Sequence, residues 1–119
     1  MDLSSKTAVV TGAGQGIGLG IASAMAKKGA KVAMLGRTFS KVKNESSKLN
    51  EAGFETLALE CNVKDPDSIS NAQGEIKKIF GPVNVLINNA QEVPLGSILD
   101  VTDEAINAGW ESGPLATFR

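Results

Sequence analysis

A chain of 119 residues is one modest domain and is too short for two. Hydrophobic residues make up 42% and charged residues 21%, which excludes disorder and predicts a packed core. Twelve Lys and Arg against thirteen Asp and Glu leave a formal charge of −1, so neither nucleic acid nor a membrane surface is expected as partner.

Taken in chain order, Lys6 to Thr11 is an apolar run ending in glycines, which predicts a buried strand. A glycine-rich turn over Gly12 to Gly18 leads into a helix reaching about Lys28, with Ile17, Ile21 and Met25 on its apolar face. Lys31 to Leu35 is the next strand, and Gly36 breaks it. A polar helix follows over Ser40 to Ala52, with Val42, Leu49 and Ala52 expected inward and Gly53 as its stop. Glu55 to Cys61 reads as a third strand. Asp65 as N-cap with Pro66 in the first helical position signals a third helix. Ile69, Ala72, Ile76 and Ile79 form its stripe, and Gly81-Pro82 ends it. Val83 to Asn88 is a fourth strand, Val93 to Val101 a loop, and Thr102 to Phe118 a final helical segment. Gly109, Gly113 and Pro114 weaken that segment, since an interior proline costs roughly 3 kcal/mol.

Strands starting near residues 7, 31, 55 and 83, each pair separated by a helix, make a β-α-β-α-β-α-β rhythm. Right-handed crossovers turn this rhythm into a doubly wound parallel sheet with helices on both faces, a three-layer αβα fold. The expected strand order is 3-2-1-4.

The single cysteine, Cys61, excludes an intrachain disulfide and suits a reducing compartment, so a cytoplasmic location is expected. Met1 to Lys6 precedes no long apolar run, so no signal peptide or membrane span is expected. The sequence holds no His and no Tyr, which removes every mechanism that needs either from this chain alone. Cys61 lacks a His partner, no Cys or His cluster has metal-ligand spacing, and the carboxylates are scattered. No metal site is expected.

The chemistry therefore rests on Thr11-Gly12-Ala13-Gly14-Gln15-Gly16-Ile17-Gly18, between a strand and a helix. Glycines there let main-chain N–H groups approach a phosphate, and the helix start adds the positive end of its dipole. A glycine cluster can also mark only a sharp turn, but three glycines at a strand-to-helix junction favour the phosphate reading. A P-loop is excluded, because the first lysine after the turn is Lys27. The G-x-G-x-x-G fingerprint fails as well, with Ile17 or Leu19 in place of the last glycine. The spacing that fits is Gly-x3-Gly-x-Gly, on Gly12, Gly16 and Gly18.

Thr-Gly-x3-Gly-Ile-Gly after the first strand, together with Asn88-Asn89-Ala90 after the fourth, resembles the short-chain dehydrogenase/reductase family. The resemblance covers essentially the whole chain and corresponds to the N-terminal, cofactor-binding half of a family member, so residues 1–119 are expected to be an incomplete Rossmann domain. It implies that Gly12, Gln15, Gly16, Ile17 and Gly18 line the cofactor pyrophosphate and that Asn89 and Ala90 approach the ribose. Asn62 and Val63 match the pair that packs beside the adenine.

An acid at the end of the second strand would favour NAD by binding the ribose 2′-hydroxyl. Here Gly36-Arg37-Thr38 stands in that place, with no acid between Lys31 and Lys43. Arg37 can pair with a 2′-phosphate and Thr38 can donate one more bond, so NADP(H) is expected in preference to NAD(H). The alternative is a solvated surface arginine.

Three departures from the family pattern stand out. Gln91 replaces the glycine of Asn-Asn-Ala-Gly, and Gly113 falls where the family carries its catalytic asparagine. The family's catalytic Ser and Tyr-x3-Lys lie on later elements, so no catalytic residue is assigned within residues 1–119. The expected whole is an NADP(H)-dependent oxidoreductase moving a hydride between nicotinamide and a small carbonyl or alcohol. A non-catalytic dinucleotide-binding or regulatory module is the alternative. With the fourth strand at a sheet edge, the isolated chain is expected to self-associate or to be only partly folded, and the protein is expected to be a homo-oligomer.

Overall fold

The computed structural model describes residues 1–119. Strands β1 (Thr7–Thr11), β2 (Lys31–Gly36), β3 (Thr56–Glu60) and β4 (Val85–Ile87) alternate with helices α1 (Gly16–Lys27), α2 (Phe39–Glu51) and α3 (Pro66–Phe80). Two short helices, α4 (Asp103–Ser112) and α5 (Pro114–Phe118), complete the chain. The four strands form one sheet in the order β3-β2-β1-β4, and every pairing is parallel. This is the expected doubly wound topology.

Strand alternation divides the core between the two faces. Ala8, Val10, Val32 and Met34 point toward α1 and α2, joining Ala22, Ala26 and Val42 in one buried cluster. Val9, Ala33 and Leu35 point the other way and meet Cys61 with Ala72 and Ile76 of α3. No aromatic side chain is fully buried, so the layers close on alanine and valine.

Two helix faces differ from the sequence reading. On α1 the buried face is Gly18, Ala22 and Ala26, whereas Ile17 is 78% exposed. Small residues at this spacing let α1 approach the sheet more closely than Ile17, Ile21 and Met25 could, and Ile21 and Met25 pack at its flanks. On α2 the buried positions are Val42 and Ser46, while Leu49 is half-buried and Ala52 exposed. Ser46 is tolerated inside because its hydroxyl pairs with Thr56 Oγ1 at 2.7 Å. The segment expected as one terminal helix is two, broken at Gly113 ahead of Pro114.

Candidate functional site

In a parallel sheet the crevice opens where consecutive crossovers leave on opposite sides of a strand. Here that strand is β1, with β2 on one side and β4 on the other. A cleft of about 450 Å³ lies at the carboxyl ends of the strands. Its walls include all eleven residues expected from sequence: Gly12, Gln15, Gly16, Ile17 and Gly18, then Arg37 and Thr38, Asn62 and Val63, and Asn89 and Ala90.

The glycine turn is built by close approach. A Cβ at Gly18 would collide with the carbonyl oxygen of Gly12, so glycine there lets the helix start fold back on the turn. Gly16 sits at φ 57° with open space beyond it, a conformation that suits glycine and leaves the backbone bare to the cleft. Asn89 locks this turn to β4. Its Nδ2 donates to the carbonyls of Thr11 (3.0 Å) and Gly12 (3.2 Å), while Thr11 Oγ1 accepts from the backbone N–H groups of Asn89 and Ala90. The Nδ2 end of the Asn89 amide is thus committed to the framework of the turn.

The helix ends divide into two kinds. α3 is capped by Asp65, which accepts from Asp67 N, and α4 by Thr102, which accepts from Ala105 N. α1 starts at Gln15 and α2 at Thr38 with no side-chain cap and no acid in the first turn. The five-residue α5, starting at Gly113, is likewise uncapped, but it is the α1 and α2 starts that face the cleft. The first N–H groups of a helix have no intrahelical partner, and the dipole makes that end positive, so these two starts offer donors to an anion.

Charged side chains complete the mouth. Arg37 follows β2, Lys41 lies on α2 and Lys64 follows β3. Asn62 Oδ1 accepts from Lys64 N at 3.1 Å, and this turn sets the direction of Lys64. Glu92, beyond β4, reaches across: its Oε1 lies 2.6 Å from Arg37 Nη1 and 2.7 Å from Lys64 Nζ. The Lys64 hydrogen bond above all holds the Glu92 carboxyl below its ordinary value, against partial desolvation, with the Lys64 and Arg37 charges adding to it. Burial pushes the Cys61 thiol up, and the Asp65 charge adds to that against the Ser68 hydrogen bond. Cys61 is therefore a wall residue whose environment disfavours the thiolate.

Comparison with known proteins gives this geometry a family. The sequence profile described as short chain dehydrogenase matches residues 6–112. The chain belongs to the short-chain dehydrogenase family. It is 37% identical over 102 residues to the oxidoreductase UcpA of Escherichia coli K12, covering 86% of this chain and 38% of that protein. It is 34% identical over 103 residues to the trihydroxynaphthalene reductase of Colletotrichum orbiculare, covering 86% of this chain and 36% of the relative. Among solved structures, L-sorbose reductase from Gluconobacter frateurii, complexed with NADPH and L-sorbose, superposes with a TM-score of 0.92 at 30% identity. That alignment covers 99% of this chain and 45% of the reductase. The chain thus spans less than half the length of these short-chain dehydrogenase relatives.

Two of the departures from the family pattern meet in space. A Cβ on Gly113 would lie 3.0 Å from Gln91 Nε2, so the Gln91 side chain occupies the room that a side chain at 113 would need. Sequence reading treated the two positions separately. It also missed Lys41, Lys64 and Glu92 as cleft residues. Lys64 had a local signal, standing directly after Asn62-Val63, but Lys41 and Glu92 enter only through the packing of α2 and the crossing after β4.

Proposed function

We propose that residues 1–119 form the cofactor-binding part of an NADP(H)-dependent short-chain oxidoreductase, with Gly12, Gln15, Gly16, Ile17 and Gly18 along the pyrophosphate. Arg37 and Thr38 take the ribose 2′-phosphate, Asn62 and Val63 flank the adenine, and Ala90 meets the ribose on a frame held by Asn89. The observation that carries this reading is the pair of uncapped helix starts on one cleft, one beside a bare glycine turn and one beside Arg37. A dinucleotide carries anionic groups for both. The NADPH bound to the sorbose reductase relative supports the same choice.

When bound, the cofactor supplies the hydride acceptor or donor for a carbonyl or alcohol carbon. The residues of this chain bind and orient it: the first N–H groups of α1 meet the pyrophosphate, and Arg37 with Lys41 and Lys64 neutralises phosphate charge at the adenosine end. The proton donor to the substrate is assigned outside these residues, since the chain contains no Tyr or His. A cytoplasmic, reducing setting fits the free, buried thiol of Cys61.

Calorimetric titration of NADPH and NADH into wild type and Arg37→Asp tests the reading. The variant is expected to weaken NADPH by about 2 kcal/mol or more, roughly thirtyfold, and NADH much less. Equal losses for both cofactors would overturn the NADP(H) assignment. The contact between Gln91 and Gly113 favours a second reading, a non-catalytic dinucleotide-binding module. Turnover of a carbonyl substrate by the intact protein would exclude it.

A further inference from the structure

We propose that Glu92 is an internal anion occupying the cationic end of the cleft, which a ribose 2′-phosphate must displace, so that Glu92 limits how strongly the protein prefers NADP(H) over NAD(H). The inference rests on the NADP(H) reading above.

Arg37 and Lys64 come from the ends of neighbouring strands, β2 and β3. A single carboxylate oxygen of Glu92 bridges both, at 2.6 and 2.7 Å. The same two cations are those best placed to meet a phosphate between the two strand ends. Phosphate and carboxylate offer the same acceptor chemistry, so they compete for these donors rather than share them. The backbone of Glu92 is tied independently, its N–H donating to the buried Ser112 hydroxyl at 2.8 Å. That anchor leaves the carboxylate free to swing aside while the chain beneath it stays in place. The charged residues of the cleft are Arg37, Lys41, Lys64 and Glu92, so cations outnumber carboxylates and the site still attracts an anion with Glu92 present. The side chains of Arg37, Lys64 and Glu92 are 60%, 27% and 31% exposed, so the bridge is solvated enough to open. An unphosphorylated ribose offers only neutral hydroxyls, which compete for the pair far less than a charged phosphate does.

Adenosine 2′,5′-bisphosphate and 5′-AMP differ only in the 2′-phosphate, and they probe the cleft without hydride transfer. Their dissociation constants are measured for wild type, Glu92→Gln and Arg37→Ala by calorimetry. Retention on matrices carrying each nucleotide gives a second measurement that tolerates weak binding and self-association. Glu92→Gln is expected to tighten the bisphosphate roughly two- to fivefold, the range of a solvated ion pair, and to leave 5′-AMP within about twofold. A bisphosphate affinity that falls or stays level relative to 5′-AMP would overturn the proposal, a fall meaning that Glu92 is a strut holding Arg37 in place. If Arg37→Ala abolishes the bisphosphate preference while Glu92→Gln changes nothing, the NADP(H) reading survives and this inference fails. If wild type shows no preference for the bisphosphate, both fail.

Discussion

Gly18 and Gly20 look alike in sequence, yet their surroundings give them opposite roles. A Cβ at Gly18 would meet the Gly12 carbonyl and come within 2.5 Å of Asn89 Nδ2, whereas a Cβ at Gly20 meets nothing within 4 Å. Gly18→Ala is therefore expected to destabilise the fold by about 2 kcal/mol or more, through displacement of the glycine turn. Gly20→Ala should stabilise it by about 0.5 to 1 kcal/mol, as alanine does in an exposed helix interior. Urea midpoints for the two variants check both signs. The Gly-x3-Gly-x-Gly pattern made Gly18 legible because a spacing motif encodes a backbone shape. The Gln91–Gly113 contact was not legible, since its partners are joined only by the fold. Gly113→Asn should cost more stability in the presence of Gln91 than in a Gln91→Gly background, with a coupling of about 1 kcal/mol in a double-mutant cycle.

Helix termini separate structure from function at the next scale. Asp65 satisfies the start of α3, so Asp65→Ala should cost about 1 kcal/mol in thermal or urea unfolding and leave nucleotide affinity unchanged. Thr38 stands at the start of α2 without accepting a cap bond, so Thr38→Ala should cost only a few tenths of a kcal/mol. The same change should weaken adenosine 2′,5′-bisphosphate severalfold if the Thr38 hydroxyl donates to the phosphate. An equal stability loss for both variants would show that Thr38 caps α2 after all. Asp65-Pro66 was readable because a capping side chain and proline are chosen locally. The uncapped starts carry no comparable local signal, and their meaning emerges only when two of them face one cleft. The rotation of the α1 face was hidden for a related reason. Periodicity favours the largest apolar residues, Ile17, Ile21 and Met25, whereas contact with the sheet selected the smallest, Gly18, Ala22 and Ala26.

At the scale of the whole molecule the sheet has two edges, β3 and β4. Strand order was legible from the alternation of strands and helices, because crossover handedness leaves few arrangements. The extent of β4 was not: six residues read as strand, and three pair with β1. β4 has β1 on one side and no strand on the other, and it presents Leu86 at 55% and nearby Val83 at 44% exposure. These two side chains join Val9, Leu35, Ile69 and Ile76 around an apolar groove of about 260 Å³ beside the strand. Unpaired strand donors next to exposed apolar surface favour pairing with another chain. A chain consisting of residues 1–119 is therefore expected to self-associate through β4. Two substitutions separate that edge from nonspecific stickiness. Leu86→Lys places a charge on the exposed face of β4 and should shift the chain toward monomer in light scattering. Leu95→Lys alters a side chain that is 91% exposed on the loop after β4 and should leave association unchanged. Amide exchange gives the complementary reading, with Val85 to Ile87 protected as concentration rises and β2, inside the sheet, protected throughout. Monomeric wild type with a fully protected β4 at low concentration would overturn the edge assignment.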